Sequence, residues 1–159
     1  MAGPTASRGA RVAGTLLVLC GVIGLVAGVV PFAVNALRLL GSGLGRAPED
    51  WAAHGVEAMG LSTEWALLSS ADGAFLGALL LAAGIGWRRG RSWAPLVTLL
   101  YAIDGLLVTG VDLAVFAAKA RPGPVRASML VLDGIAFAVA AATMIGLIIW
   151  WLTSRSRST

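Results

Sequence analysis

Four aspartates, Asp72, Asp104, Asp112 and Asp133, stand inside long apolar stretches of this 159-residue chain. A carboxylate at the centre of a bilayer-spanning helix costs about 2.5 to 3.5 kcal/mol on insertion scales, so such a group faces neighbouring helices, water or a cation rather than lipid. Buried acids of this kind bind cations, relay protons or hydrogen-bond across helices. Asp104 lies nearest the middle of its stretch. Tyr101 precedes it by three residues, and Val108 and Asp112 continue the same helical side at i+4 and i+8, which makes a polar seam running toward one end. Ser69, Ser70, Thr109 and Thr143 are the hydroxyls able to turn Asp104 into interhelical glue instead. Asp72 and Asp133 lie about six residues into their stretches, ~9 Å along a helix axis, where water and helix-start amides still reach a carboxylate. Lys119, Arg121, Arg126 and Arg38 flank the same side and can reach down to neutralise Asp112 or Asp133, or attract anionic lipid head groups.

Other chemistries have fewer residues to work with. A single cysteine, Cys20, makes no intrachain disulfide, and a single histidine, His54, makes no bis-histidine haem site. Asp50, His54 and Glu57 fall at i, i+4 and i+7, a spacing that puts three donors on one helix side for a divalent metal, although a solvated polar face has the same pattern. No nucleophile signature accompanies His54, no phosphate-binding glycine loop follows a strand, and nothing in the chain signals a cofactor. The net charge of +4 belongs to loops and helix ends. There is no basic domain with stacking aromatics, so nucleic acid is not an expected partner.

The elements that must position these acids follow from composition. The chain is 58% hydrophobic and 13% charged, against roughly 25% charged in a soluble domain. Crossing the hydrocarbon core takes about 20 apolar residues per helix, and residues 12–34, 66–87, 94–118 and 129–152 each supply them. The first stretch follows Arg8 and Arg11 and ends on Val34-Asn35-Ala36, which passes for a signal cleavage site. Its apolar core is longer than the roughly 7 to 15 residues of a signal peptide, so it reads as a retained signal anchor. In the loop 35–65, Pro48 with Glu49 and Asp50 begins a short helix. Trp51, Ala52, Val56 and Met59 lie on one side of it and Asp50, His54 and Glu57 on the other, with Gly60 to end it.

Charge sets the expected orientation. Placing both termini on one side puts Arg8, Arg11, Arg88, Arg89, Arg91, Arg155 and Arg157 there, and Arg38, Arg46, Lys119, Arg121 and Arg126 opposite. That balance puts the termini in the cytoplasm. Trp87 and Trp93 bracket the arginine turn, and Trp150 and Trp151 precede Arg155, as interfacial tryptophans do.

Small residues supply the packing surfaces. Gly21, Gly24 and Gly28 line one side of the first helix, and Gly73 and Gly77 form a GxxxG in the second, patterns that let helix backbones approach closely in lipid. Intramolecular packing and association with another copy or a larger partner both use such stripes. Asp72-Gly73, Asp104-Gly105 and Asp133-Gly134 hint at an old duplication of a two-helix unit.

The segment Gly84-Ile85-Gly86-Trp87-Arg88-Arg89, followed by Trp93-Ala94-Pro95-Leu96, joins two apolar helices through an arginine turn. Together with the first span from Arg11 to Gly28, this outline resembles the DoxX-like small four-helix membrane proteins. The resemblance implies an accessory role beside membrane redox complexes. The chain thus reads as all-α, an integral membrane four-helix bundle in a single domain 1–159, with a short amphipathic surface helix in the first extracytoplasmic loop and a tail at 153–159. The function expected first is a non-enzymatic membrane subunit or accessory protein that binds a protein partner, lipid or apolar ligand within its helices. Its partners would be membrane lipids and a larger membrane complex or a homo-oligomer. The alternatives are a small proton- or cation-coupled transporter using Asp104, with Asp72, Asp112 and Asp133 as secondary sites, and a lipid-modifying membrane enzyme with aspartates in acid-base roles.

Overall fold

A computed structural model describes residues 8–40 and 60–155. They form four helices: α1 (Arg8–Leu39), α2 (Thr63–Arg88), α3 (Ala94–Ala118) and α4 (Pro124–Arg155). All four are long and apolar enough to cross a membrane, and the chain is a multi-pass integral membrane protein built as an all-α four-helix bundle. No strand occurs among the described residues. The surface helix expected around Asp50, His54 and Glu57 lies outside them.

Three of the helices run beyond the uninterrupted apolar stretches, because polar residues at the ends are capping residues rather than breaks. Ser62 has extended backbone angles and its hydroxyl accepts from the Trp65 amide at 3.3 Å, so α2 starts at Thr63 with Glu64 in its positive first turn. Pro124 is tolerated in the first turn of α4, where its missing N–H costs no hydrogen bond. At 32 residues α1 is about 48 Å long, more than the hydrocarbon thickness, so it tilts or extends into the head-group layer. Pro31 lies inside it and leaves the Ala27 carbonyl without its helical donor.

The closest pairing is between α1 and α2, and glycine makes it possible. Along α1 the buried positions Gly14, Gly21, Gly28 and Asn35 recur every seventh residue, the period that keeps one seam against a neighbouring helix. A Cβ added at Gly14 would lie 2.7 Å from the Gly84 oxygen, and one at Gly84 would lie 2.6 Å from the Gly14 oxygen. At Gly21 the added atom runs into the Leu81 amide, at Gly28 into that of Ala74, and at Gly77 into that of Leu25. The two backbones are therefore in direct van der Waals contact along an antiparallel seam, the kind of packing that holds helices together where lipid removes the hydrophobic drive.

Beyond this pair, α2 packs on α3 and α3 on α4. A central layer is built around Tyr101 and Ala102 of α3 and Leu80 of α2, with Leu17 from α1 and Met144 from α4 against them. A second layer at the far end groups Phe116 and Ala120 with Leu61, Val125, Met129 and Leu130. The turn between α2 and α3 is locked by its own hydrogen bonds. Gly90 has φ +62°, its amide donates to the Trp87 oxygen at 3.2 Å, and the Arg91 amide donates to the Gly86 oxygen at 2.9 Å, the two bonds of a Schellman ending. Trp87 then stacks edge-on with Trp150 at 5.4 Å and donates through Nε1 to the Thr98 hydroxyl at 2.9 Å, tying α2, α3 and α4 together at this arginine end.

Candidate functional site: a line of carboxyls and an unpartnered helix face

The register of α3 with its neighbours brings the acids together toward the end opposite the arginine turn. Gly105 lies against Leu76 of α2 and Ala140 of α4. Seven residues further along α3, and seven back along each antiparallel neighbour, the same layer contains Ser69, Asp112 and Asp133. Ser69 Oγ donates to Asp112 Oδ2 at 2.8 Å. Asp133 interacts electrostatically with Asp112, Asp112 with Asp72, and Asp72 with Asp104. Each carboxyl thus lies within electrostatic range of another, from Asp104 near mid-depth to Asp112 and Asp133 in the layer of Ser69.

Its centre of gravity differs from the sequence reading. Asp112 is the buried acid, only 7% exposed, whereas Asp104 and Asp72 are half-buried. Tyr101 is buried and occupied in the central layer. The hydroxyls considered as partners for Asp104 are bonded elsewhere. Ser69 serves Asp112, Ser70 donates to the Ala66 oxygen at 2.7 Å, Thr143 to that of Val139 at 2.8 Å, and Thr109 to that of Gly105. Threonine and serine in helices satisfy themselves on the preceding turn when no stronger acceptor is near, and that local bond won here. Asp72 and Asp133 also lie nine residues into α2 and α4 rather than about six, because both helices start earlier. At about 13 Å from the helix start, the free first-turn amides no longer reach them.

Lys119, Arg121 and Arg126 do not neutralise these acids, and the side chain of Arg38 lies outside the described residues. Arg126 Nη2 donates to the Ala117 oxygen at 2.7 Å, and the Arg121 side chain lies beside Gly60. No ion pair joins Lys119, Arg121 or Arg126 to an aspartate among the described residues. Asp133 Oδ2 is fully buried without a hydrogen-bond partner, and so are Asn35 Oδ1, Trp65 Nε1 and Arg126 Nε. All four orphaned atoms belong to the end of the bundle away from the arginine turn. A buried polar atom without a partner costs about 1 to 3 kcal/mol, so this end is where water, a proton or a cation gains most by entering.

The glycines sort into two groups. Gly21, Gly28 and Gly77 are at the α1–α2 seam, Gly24 and Gly73 touch it with ordinary spacing, and Gly14 and Gly84, not singled out from the sequence, close its other end. The seven-residue spacing of Gly14, Gly21 and Gly28 was the available signal. A second stripe also escaped the sequence reading: Gly134, Ala138, Ala142 and Gly146 recur every fourth residue on α4. Helical geometry turns this stripe away from Phe137, Ala140 and Met144, which face α3. Ala138, Ala142 and Gly146 are exposed, and a Cβ added at Gly134 or Gly146 would meet nothing within 4 Å.

Comparison with family models, with curated proteins and with solved structures finds no match to this chain.

Proposed function

We propose that the chain is a non-enzymatic integral membrane subunit or accessory protein that docks laterally on a membrane partner through α4. The observation that supports this reading is the unpartnered Gly134-Ala138-Ala142-Gly146 stripe. Within the chain, backbone-to-backbone contact at α1–α2 depends on small residues at regular spacing, and α4 offers a similar surface with none of the four described helices against it. Small residues facing lipid forgo the close packing that drives helix association in a bilayer, and a second helix on this face recovers it. An accessory role of this kind is also what a resemblance to DoxX-like proteins would imply. Both termini are placed in the cytoplasm, on the arginine count and the tryptophans bordering the arginine turn.

The test is affinity purification of the full chain from membranes in mild detergent, comparing the parent with Ala138→Leu/Ala142→Leu. A stoichiometric protein partner, or a second copy, that is retained by the parent and lost by the variant at unchanged helical content supports the reading. A parent that purifies alone as a monomer sinks it.

The grouped carboxyls favour a second reading, a small proton- or cation-coupled transporter. Two carboxyls within electrostatic range of each other, Asp112 and Asp133, with no basic partner among the described residues, are neutralised at least cost by sharing a proton or holding a cation. In this reading Asp112 and Asp133 form the central pair, and Asp72 and Asp104 lead from it toward mid-membrane.

A further inference from the structure

We infer that the arginine end carries a binding site for an anionic phospholipid, formed by Arg8 and Arg11 above the apolar slope of Val12 and Leu16, a site independent of both functional readings above. All eight acids of the chain fall between Glu49 and Asp133, and none belongs to the arginine turn, to the start of α1 or to the end of α4. Arg8, Arg11, Arg88, Arg89 and Arg91 are all exposed at this end.

The helix ends add to the imbalance. Neither α1 nor α3 has an acid in its first turn, and α3 has no side-chain cap, so two positive helix ends lie beside the arginines without an anion from the described residues. Arg88 suits the negative C-terminus of its own helix, but its side chain leaves α2 directly over Gly14, where an added Cβ would come within 2.8 Å of Arg88 Cγ. Gly14 thus admits the Arg88 stem at the α1–α2 seam, on the side of α1 away from Val12 and Leu16, which leaves Arg8 and Arg11 as the guanidinium groups of the groove. A shallow groove on α1 is lined, among the described residues, by Arg8, Arg11, Val12, Thr15 and Leu16. The Thr15 hydroxyl is spent on the Arg11 oxygen at 2.9 Å, so recognition falls to the guanidinium groups, which suit phosphate oxygens through paired N–H donors.

Charge selects phosphate, and the surface beneath selects lipid. Val12, Leu16, Leu19 and Ile23 recur at i, i+4, i+7 and i+11 and are 56% to 69% exposed, giving an aliphatic track that leads from the arginines toward mid-membrane. A phosphodiester at arginine depth with an acyl chain laid along this track satisfies both. A free phosphate satisfies only the first.

The experiment uses the purified full chain and native mass spectrometry. Phosphatidylglycerol and phosphatidylcholine of identical acyl chains serve as probes, and glycerol phosphate as the soluble competitor. The parent is expected to retain phosphatidylglycerol in preference to phosphatidylcholine. Removing two arginines, Arg8→Gln/Arg11→Gln, should lower that retention about 30-fold, and Arg89→Gln/Arg91→Gln less than about threefold. Equal retention of the two lipids by the parent overturns the site without recourse to any variant. So does displacement by glycerol phosphate alone, which points to a soluble anion, or equal loss in both arginine pairs, which points to diffuse charge. Should Arg8→Gln/Arg11→Gln lose helical content, the same comparison is made with Leu16→Asn, for which unchanged phosphatidylglycerol retention overturns the acyl track and with it the proposal.

Discussion

Ser69 and Asp112 join α2 to α3 through a 2.8 Å hydrogen bond, and this hydroxyl is the donor that the buried carboxyl has within the described part of the chain. Ser69→Ala should therefore strand the Asp112 oxygen in an apolar layer. A stranded buried acceptor costs about 1 to 3 kcal/mol, more for a charged one, so the variant should unfold at lower temperature in detergent. Asp112→Asn should be tolerated better, because the amide oxygen still accepts from Ser69 and no charge needs burial. Ser69→Ala at least as stable as the parent would show that Asp112 finds another partner in the membrane.

The α1–α2 seam predicts a graded response to the same small substitution. Gly28→Ala and Gly77→Ala place a methyl inside the backbone of the facing helix, so the helices must separate along the seam, at about 1 to 3 kcal/mol. Gly24→Ala adds its methyl at 3.4 Å from the Gly77 Cα, nearly ordinary contact, and Gly146→Ala meets nothing. Thermal unfolding should rank Gly28 and Gly77 as most sensitive, Gly24 as mild and Gly146 as neutral. A flat series would mean that the backbones do not touch.

Gly90 offers a test of the turn that places the arginines. Its φ of +62° belongs to the left-handed region, which costs an L-residue about 1 to 2 kcal/mol. Gly90→Ala should lose about that much stability and Gly90→Asn less, since asparagine tolerates this conformation. Equal stability of the alanine variant would argue against the Schellman ending.

How far the sequence reveals this architecture depends on the range of the interaction concerned. The helices were legible because apolar length is a local property, and their ends less so because Ser62 and Pro124 act through capping geometry that interrupts no pattern. The acids were legible as a set, from their cost in lipid. Their grouping was not, since it depends on the register between antiparallel helices: Asp112 shares a layer with Asp133 because Gly105 lies against Ala140 one heptad away. Asp104 drew attention for its central depth. Depth along a helix does not fix the direction around it, and Asp112 is the acid turned inward. Of the hydroxyls weighed as partners for Asp104, Ser70, Thr109 and Thr143 bond one turn back on their own helices, where a serine or threonine has a local acceptor, and Ser69 bonds Asp112.

Orientation can be read directly by labelling. With Cys20 replaced, a cysteine introduced at Ser92 in the arginine turn and one at Gly123 between α3 and α4 lie at opposite ends of the bundle, and both positions are exposed. In intact cells an impermeant thiol reagent should modify the Gly123 position and spare Ser92. The reverse pattern would place the termini outside and overturn the charge-based assignment.

Neutralising individual aspartates separates the two functional readings. Asp104→Asn and Asp112→Asn both keep a side chain of similar shape and hydrogen-bonding capacity, and removing a charge from the membrane interior favours insertion by a few kcal/mol. If the acids only hold helices together, both variants should fold, assemble and retain whatever partner the parent retains, with Asp104→Asn nearest to the parent because that residue is half-buried and Asp112 is buried. If the acids move a proton or cation, flux into liposomes at a fixed pH gradient should fall at least about tenfold in Asp112→Asn, because the pair of Asp112 and Asp133 can no longer exchange its charge. Asp104→Asn should then lower flux less, since Asp72 lies between it and the pair and can still pass charge onward. Parent liposomes that show no pH-dependent flux leave the docking reading in place. A folded Asp112→Asn protein that has lost a flux present in the parent replaces that reading with the transporter.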